Sequence, residues 1–211
     1  MKASPRVNWV TRHVDGDRIL DVGFVGEYEE SLVHRNIQRN NPSASVVGVD
    51  IKEDLHERTD STKSVRGDAE RLPFTNRSFD TVVFAEVVEH LVDPVPVLRE
   101  LRRILVPGGR LVLTTPNPMG LYRYLRWYLF DASLDADRFL GADDHVQFID
   151  PFSLQSLLRA LGYRTTETTF RNVSVPKLPT LPDWSVLTRF PIVRGGSYTC
   201  LIAVRDDESD V

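Results

Sequence analysis

Three observations predict an α/β protein built on a doubly wound, mainly parallel sheet. Short aliphatic or β-branched runs alternate with longer amphipathic segments from residue 18 to residue 117. The first run, "RILDVG", ends in an acid and a glycine and leads straight into a charged helical segment, the way a ligand pocket opens at a helix N-terminus. The next run, "SVVGVD", also ends in an acid, at the strand end where such sheets place their ligand.

The elements follow in order. Residues 18–23 read as a first strand and 28–41 as a helix, stopped by Asn40, Asn41 and Pro42. Residues 45–51 read as a second strand, 64–69 as a short third and 79–86 as a fourth. Residues 94–109 read as a helix with an apolar stripe of Val97, Leu101, Ile104 and Leu105, ended by Pro107-Gly108-Gly109. A fifth strand covers 110–117. The second half is less regular. Residues 120–130 form an aromatic helix candidate, 131–150 a polar loop or lid, and 150–163 a helix that buries Leu154, Leu157, Leu158 and Leu161 and closes at Gly162. Residues 163–173 and 197–204 read as two last strands, with a proline-rich insertion over 174–196 between them and an acidic tail over 205–211. Neither a repeat nor a linker divides the chain, so one domain is expected over 1–211, its core at about 15–165 and its substrate cap at 119–150.

Composition narrows the functional classes. With 26 basic and 30 acidic residues, the net charge of −4 gives no general attraction to nucleic acid, although a local basic patch is allowed. The single cysteine, Cys200, excludes an intrachain disulfide and makes a reducing compartment the default. It lies in the apolar run "YTCLIAV" and reads as a buried strand residue rather than a nucleophile. The first residues lack the apolar core of a signal peptide, and no run approaches a membrane span, so the expected location is the cytoplasm.

Four groups of residues carry candidate chemistry. Asp21, Gly23 and Gly26 form a strand–turn–helix junction where glycine lets a ligand approach the backbone; many folds use the same turn without a ligand. Asp50 can accept two hydrogen bonds from a ribose diol, or cap the segment "KEDLHER" as an N-cap. Asp68, with room left beside it by Ala69, can accept from an exocyclic amine such as that of adenine, or act as a turn aspartate. Glu86, Glu89 and His90 share a face if the chain is helical there. Two carboxylates and an imidazole suit a divalent metal, but a polar helix start that organises the loop is the preferred reading of so loose a pattern.

Taken together, "ILDVGFVG", "VVGVD", "GDAERLPFTNRSFDTVVFAEVVEHL" and "LRRILVPGGRLVLTTPNP" resemble the class I S-adenosylmethionine-dependent methyltransferases, specifically the short type 11 domains. The resemblance extends over about 15–165. It implies a Rossmann-like sheet of seven strands with the last antiparallel. It also implies a cofactor site in which the Gly23–Gly26 turn holds the methionine part, with Asp21 at its start. Asp50 and the adjoining Ile51 would serve the ribose side, Asp68 and Ala69 the adenine, and Ala85 the sulfonium side. Glu86, Glu89 and His90 are similar to the proposed metal site of ubiquinone-biosynthesis O-methyltransferases. The loop departs from the family's Asp-x-Gly-x-Gly-x-Gly: its glycine positions hold Gly23, Val25 and Glu27, with Gly26 between. Val25 is expected to narrow the approach, Glu27 to add negative charge, and Gly26 to restore the turn one residue later.

The expected activity is therefore methyl transfer from S-adenosylmethionine, most readily to an oxygen of a small-molecule, glycan or lipid-linked acceptor. His145, in "ADDHVQF", is the candidate general base if the lid covers the pocket; the alternative is a histidine that hydrogen-bonds the lid backbone. The helix candidate at 120–130 would cap the pocket or touch a membrane surface. Two other functions compete: a methyltransferase-like domain that only binds or scaffolds, and a nicotinamide-dependent oxidoreductase. The absence of G-x-G-x-x-G and the presence of "GDAERLPF" oppose the last.

Overall fold

The computed structural model describes residues 4–25, 29–52, 63–120, 145–171 and 198–206. Its elements in chain order are α1 (Pro5–His13), β1 (Arg18–Val22), α2 (Glu29–Asn40), β2 (Ser45–Asp50), β3 (Ser64–Arg66), β4 (Phe79–Ala85), a 3-10 turn (Val88–His90), α3 (Pro94–Ile104), β5 (Leu105–Pro116), α4 (Pro151–Ala160), β6 (Tyr163–Arg171) and β7 (Tyr198–Arg205). The strands form one seven-stranded sheet in the order β3-β2-β1-β4-β5-β7-β6. β1 to β5 pair in parallel, and β7 runs antiparallel to both β5 and β6. All seven expected strands form. The order reverses between β1 and β4, and a parallel sheet opens its ligand crevice at the carboxyl ends flanking such a reversal.

Side chains alternate across the sheet, so each face builds its own core. In β4, Val82 and Phe84 join Leu111, Leu113 and Leu201 on one face, beneath α3 and α4. Val83 and Ala85 join Ile19, Val112 and Cys200 on the other, beneath α1 and α2. α3 begins where the Asp93 carboxylate accepts from Val95 N and Pro94 takes the first helical position. It ends at Ile104, five residues short of the expected boundary, because Leu105 leaves the helix to pair with Phe79. α4 begins the same way, with Asp150 accepting from Phe152 N and Ser153 N, and Gly162 (φ 78°) follows its end. Leu154 and Leu158 are fully buried, while Leu157 and Leu161 pack at the core's margin.

α1 has no counterpart among the elements expected from the sequence. Ser4 caps it, accepting from Val7 N, with Pro5 at the first helical position; Val7, Trp9 and Val10 are buried on its inner face. All but Gly120 of the helix candidate at 120–130, the insertion at 174–196 and the tail beyond residue 206 lie outside the described residues. None of the described helices is long and apolar enough to cross a membrane.

Candidate active site

The carboxyl ends of β1, β2, β3 and β4 bring Gly23, Asp50, Asp68 and Ala85 to one edge of the sheet. Gly23 is required twice over. Its φ of 75° lies in the left-handed region, and a Cβ there would stand 2.4 Å from Val87 Cγ2. Its N–H donates to Val49 O at 2.8 Å, which extends the β1–β2 pairing by one bond. Phe24 and Val25 then turn inward and are buried. The Phe24 ring fills the space over Gly48, where a Cβ would lie 2.7 Å from it, and stacks at 4.7 Å on His34 of α2. His34 Nδ1 lies 3.1 Å from Asp21 Oδ2, and both residues are 2% exposed. Asp21 is thus tied to α2 beneath the loop. Val25, expected to narrow the approach, is buried beside Phe24. Gly26 and Glu27 lie outside the described residues.

Asp50 is held from both sides. Its Oδ2 accepts from Val25 N at 3.0 Å and its Oδ1 from Lys52 N at 3.0 Å, so it organises the chain on both sides. Lys52 Nζ completes the lock by donating to Val25 O at 2.9 Å. A carboxylate offers about four acceptor directions, and the described residues take two of them. Ile51 beside it is 65% exposed. Asp68 is exposed and forms a turn through its Oδ1, which accepts from Glu70 N at 2.9 Å. Ala69 packs at the margin of the core, and Ala85 is buried.

The tip of β4 is arranged differently from the expected helical face. Glu86 holds a left-handed φ of 58°, and only Val88–His90 form a 3-10 turn. Glu86 therefore faces away from a cluster made by its neighbours. Its Oε1 accepts from Thr114 Oγ1 at 2.9 Å and lies 3.7 Å from Arg6 Nη1. Arg6, on α1, is 1% exposed and stacks over Tyr198 at 5.0 Å. Glu89 is fully buried; its Oε2 accepts from Thr115 Oγ1 at 3.1 Å, and its Oε1 has no partner among the described residues. Burial, reinforced by the charge of Glu86, pushes the Glu89 carboxyl up to about 9.

His145 reaches this place through the backbone. Val146 N and Gln147 N both donate to Glu89 O, at 3.0 and 3.3 Å. The His145 and His90 rings meet edge to face at 4.9 Å. Glu89, His90 and His145 each present a ligand atom within 4.8 Å of the others. The residue suspected as a base and two of those suspected as metal ligands thus form one cluster, without Glu86. Arg6, Phe24, His34 and Thr115 are contributors that the sequence reading did not single out. Cys200 is buried in β7, and burial raises its thiol well above the ordinary range, which excludes a thiolate nucleophile at neutral pH.

Residues 20–113 match the methyltransferase domain family. The ubiquinone biosynthesis O-methyltransferase of Aliivibrio fischeri is 31% identical over 171 residues, covering 72% of this chain and 68% of that protein. The biotin biosynthesis bifunctional protein BioHC of Cellvibrio japonicus is 27% identical over 158 residues, covering 72% of this chain but only 30% of its own length. Among solved structures, a SAM-dependent methyltransferase from Archaeoglobus fulgidus superposes with a TM-score of 0.65 at 22% identity, covering 94% of this chain and 91% of that one. The chain belongs to the S-adenosylmethionine-dependent methyltransferase family.

Proposed function

We propose that this enzyme methylates an oxygen of a small-molecule, glycan or lipid-linked acceptor in the cytoplasm, and that its cofactor lies against Gly23, Asp50, Ile51, Asp68 and Ala85. One observation carries the cofactor reading: Asp50, buried at the tip of β2, keeps acceptor directions that no described residue takes, beside a glycine turn that has no side chain to block approach. S-adenosylmethionine supplies a methyl group on a positively charged sulfur. The chain's own part is to align the acceptor and exclude water. Asp50 holds the ribose hydroxyls beside Ile51, and Asp68 and Ala69 face the adenine. Residues 119–150 form the cap over the acceptor. His145 takes the acceptor proton.

Calorimetry with S-adenosylhomocysteine tests the cofactor site. Asp50→Ala is expected to weaken binding roughly 10- to 100-fold, the worth of about 1.5–3 kcal/mol for hydrogen bonds to a charged group. Wild-type affinity in a folded Asp50→Ala protein would show that Asp50 only organises the loop.

The cluster of Glu89, His90 and His145 supports a second reading, in which those three hold a divalent cation that orients the acceptor oxygen. The two roles of His145 separate on chelation. Under the metal reading EDTA abolishes turnover and added Mg2+ or Zn2+ restores it. Turnover that survives EDTA leaves His145 as the base.

A further inference from the structure

The opposite edge of the sheet carries a second concave site. A cleft of about 590 Å3 opens beside the amino-terminal ends of β4, β5 and β6 and the carboxyl end of antiparallel β7. Six of the ten described residues that line it are arginines: Arg77, Arg99, Arg102, Arg103, Arg159 and Arg205. Among the described residues no acidic side chain lines it, in a chain whose net charge is −4.

Three of the arginines are committed to the fold. Arg102 donates to Gly162 O and Asp206 O, and Arg205 donates to Arg102 O and Leu105 O. Arg103 grips Glu100, Leu72 O, Phe74 O and Asn76 Oδ1. Backbone carbonyls, the Asn76 amide oxygen and the Glu100 carboxylate thus account for these three. The other three are not accounted for in this way. Arg77, Arg99 and Arg159 are exposed, and their side chains make no hydrogen bond or ion pair among the described residues. They come from three different elements: the loop before β4, α3 and α4. Solvation alone would let such like charges spread apart over the surface. Here they line one cleft.

We propose that this cleft binds a soluble ligand carrying two or three linked phosphates, at a site separate from the cofactor edge. A guanidinium fork matches two phosphate oxygens and keeps its charge at every physiological pH. Three open forks around a base of three fixed ones suit a chain of phosphates, whereas one carboxylate would occupy a single fork. The volume falls within the range of about 300–1,000 Å3 usual for small-ligand sites. Ala160 and Leu161 give one wall an apolar patch for an organic substituent.

Tripolyphosphate is the probe, titrated into the full chain by calorimetry at constant ionic strength with chloride as the control. The triple variant Arg77→Asn, Arg99→Ser, Arg159→Ser removes the open forks and leaves the fixed ones; asparagine suits the left-handed φ of 56° at residue 77. The wild type is expected to bind tripolyphosphate, and the variant to bind it at least tenfold more weakly with an unchanged melting temperature and unchanged affinity for S-adenosylhomocysteine. Equal binding by both proteins, no binding by the wild type, or tighter binding of a short polyglutamate than of tripolyphosphate would each overturn the proposal, the last in favour of an acidic peptide.

Discussion

Glu89 shows how one residue's surroundings set a property that its place in the sequence does not. It is fully buried, accepts from Thr115, and lies near enough to Glu86 to feel its charge. Burial first, and Glu86 second, raise its carboxyl to about 9. In the unfolded chain a glutamate loses its proton above about 4.3. Between those values the folded protein holds one proton more than the unfolded one, so this group's contribution to stability is complete at low pH and declines as pH rises towards 9. Glu89→Gln keeps the shape and cannot ionise. It is expected to flatten that decline and to exceed the wild type at pH 8 by several kcal/mol, since each pH unit above the unfolded value costs the protonated wild type up to about 1.4 kcal/mol. Urea midpoints of both proteins at pH 5 and pH 8 measure this. Parallel pH slopes would mean that Glu89 is ionised in the fold. The same residue scale marks the limit of sequence reading. "FAEVVEH" displays Glu86, Glu89 and His90 at helical spacing, but the left-handed φ at Glu86 sends it to Arg6 while Glu89 meets His145 across 56 positions. Neither the backbone angle nor that long-range contact leaves a periodic trace.

At the scale of elements, the strands were legible and the joins between elements were less so. β1, β2, β4 and β5 announce themselves because parallel strands buried on both faces need unbroken aliphatic runs. The end of α3 was not legible, since Ile104 and Leu105 are both buried and periodicity alone cannot tell a last helical residue from a first strand residue. α1 was readable in principle from Ser4-Pro5 and the spacing of Val7 and Val10, though nine residues give a weak signal. The omission matters, because α1 carries Arg6 to the tip of β4. There the guanidinium donates to Thr114 Oγ1 at 3.4 Å and faces Glu86. Replacing Arg6 by methionine fills the space but leaves Glu86 without its buried cation. Such half-broken pairs cost roughly 3–5 kcal/mol. The double variant Arg6→Met, Glu86→Gln removes both charges and is expected to recover at least about half of that loss in urea denaturation. No recovery would mean that Arg6 acts through its packing on Tyr198 rather than through charge.

For the whole molecule, strand order decides where ligands can act. The reversal between β1 and β4 sets the loops proposed to hold the cofactor at one edge, and the antiparallel return of β7 carries Arg205 to the other. A ligand held at the first edge stabilises every strand behind it, because β1 and β4 lie in the middle of the sheet and their local opening requires global unfolding. Cofactor binding should therefore appear as stability of the entire fold. Above its dissociation constant, each tenfold increase in S-adenosylhomocysteine adds about 1.4 kcal/mol. For a chain of 211 residues that corresponds to roughly 3–6 °C in melting temperature per decade of ligand. The wild type should follow this logarithmic rise without a plateau, and Asp50→Ala should begin its rise only at 10- to 100-fold higher concentration, with the same slope. A smaller slope would mean that the ligand-binding unit melts apart from the sheet. An undisplaced curve for Asp50→Ala would move the ribose contact to another residue of the same edge, with Asp68 the next carboxylate along it.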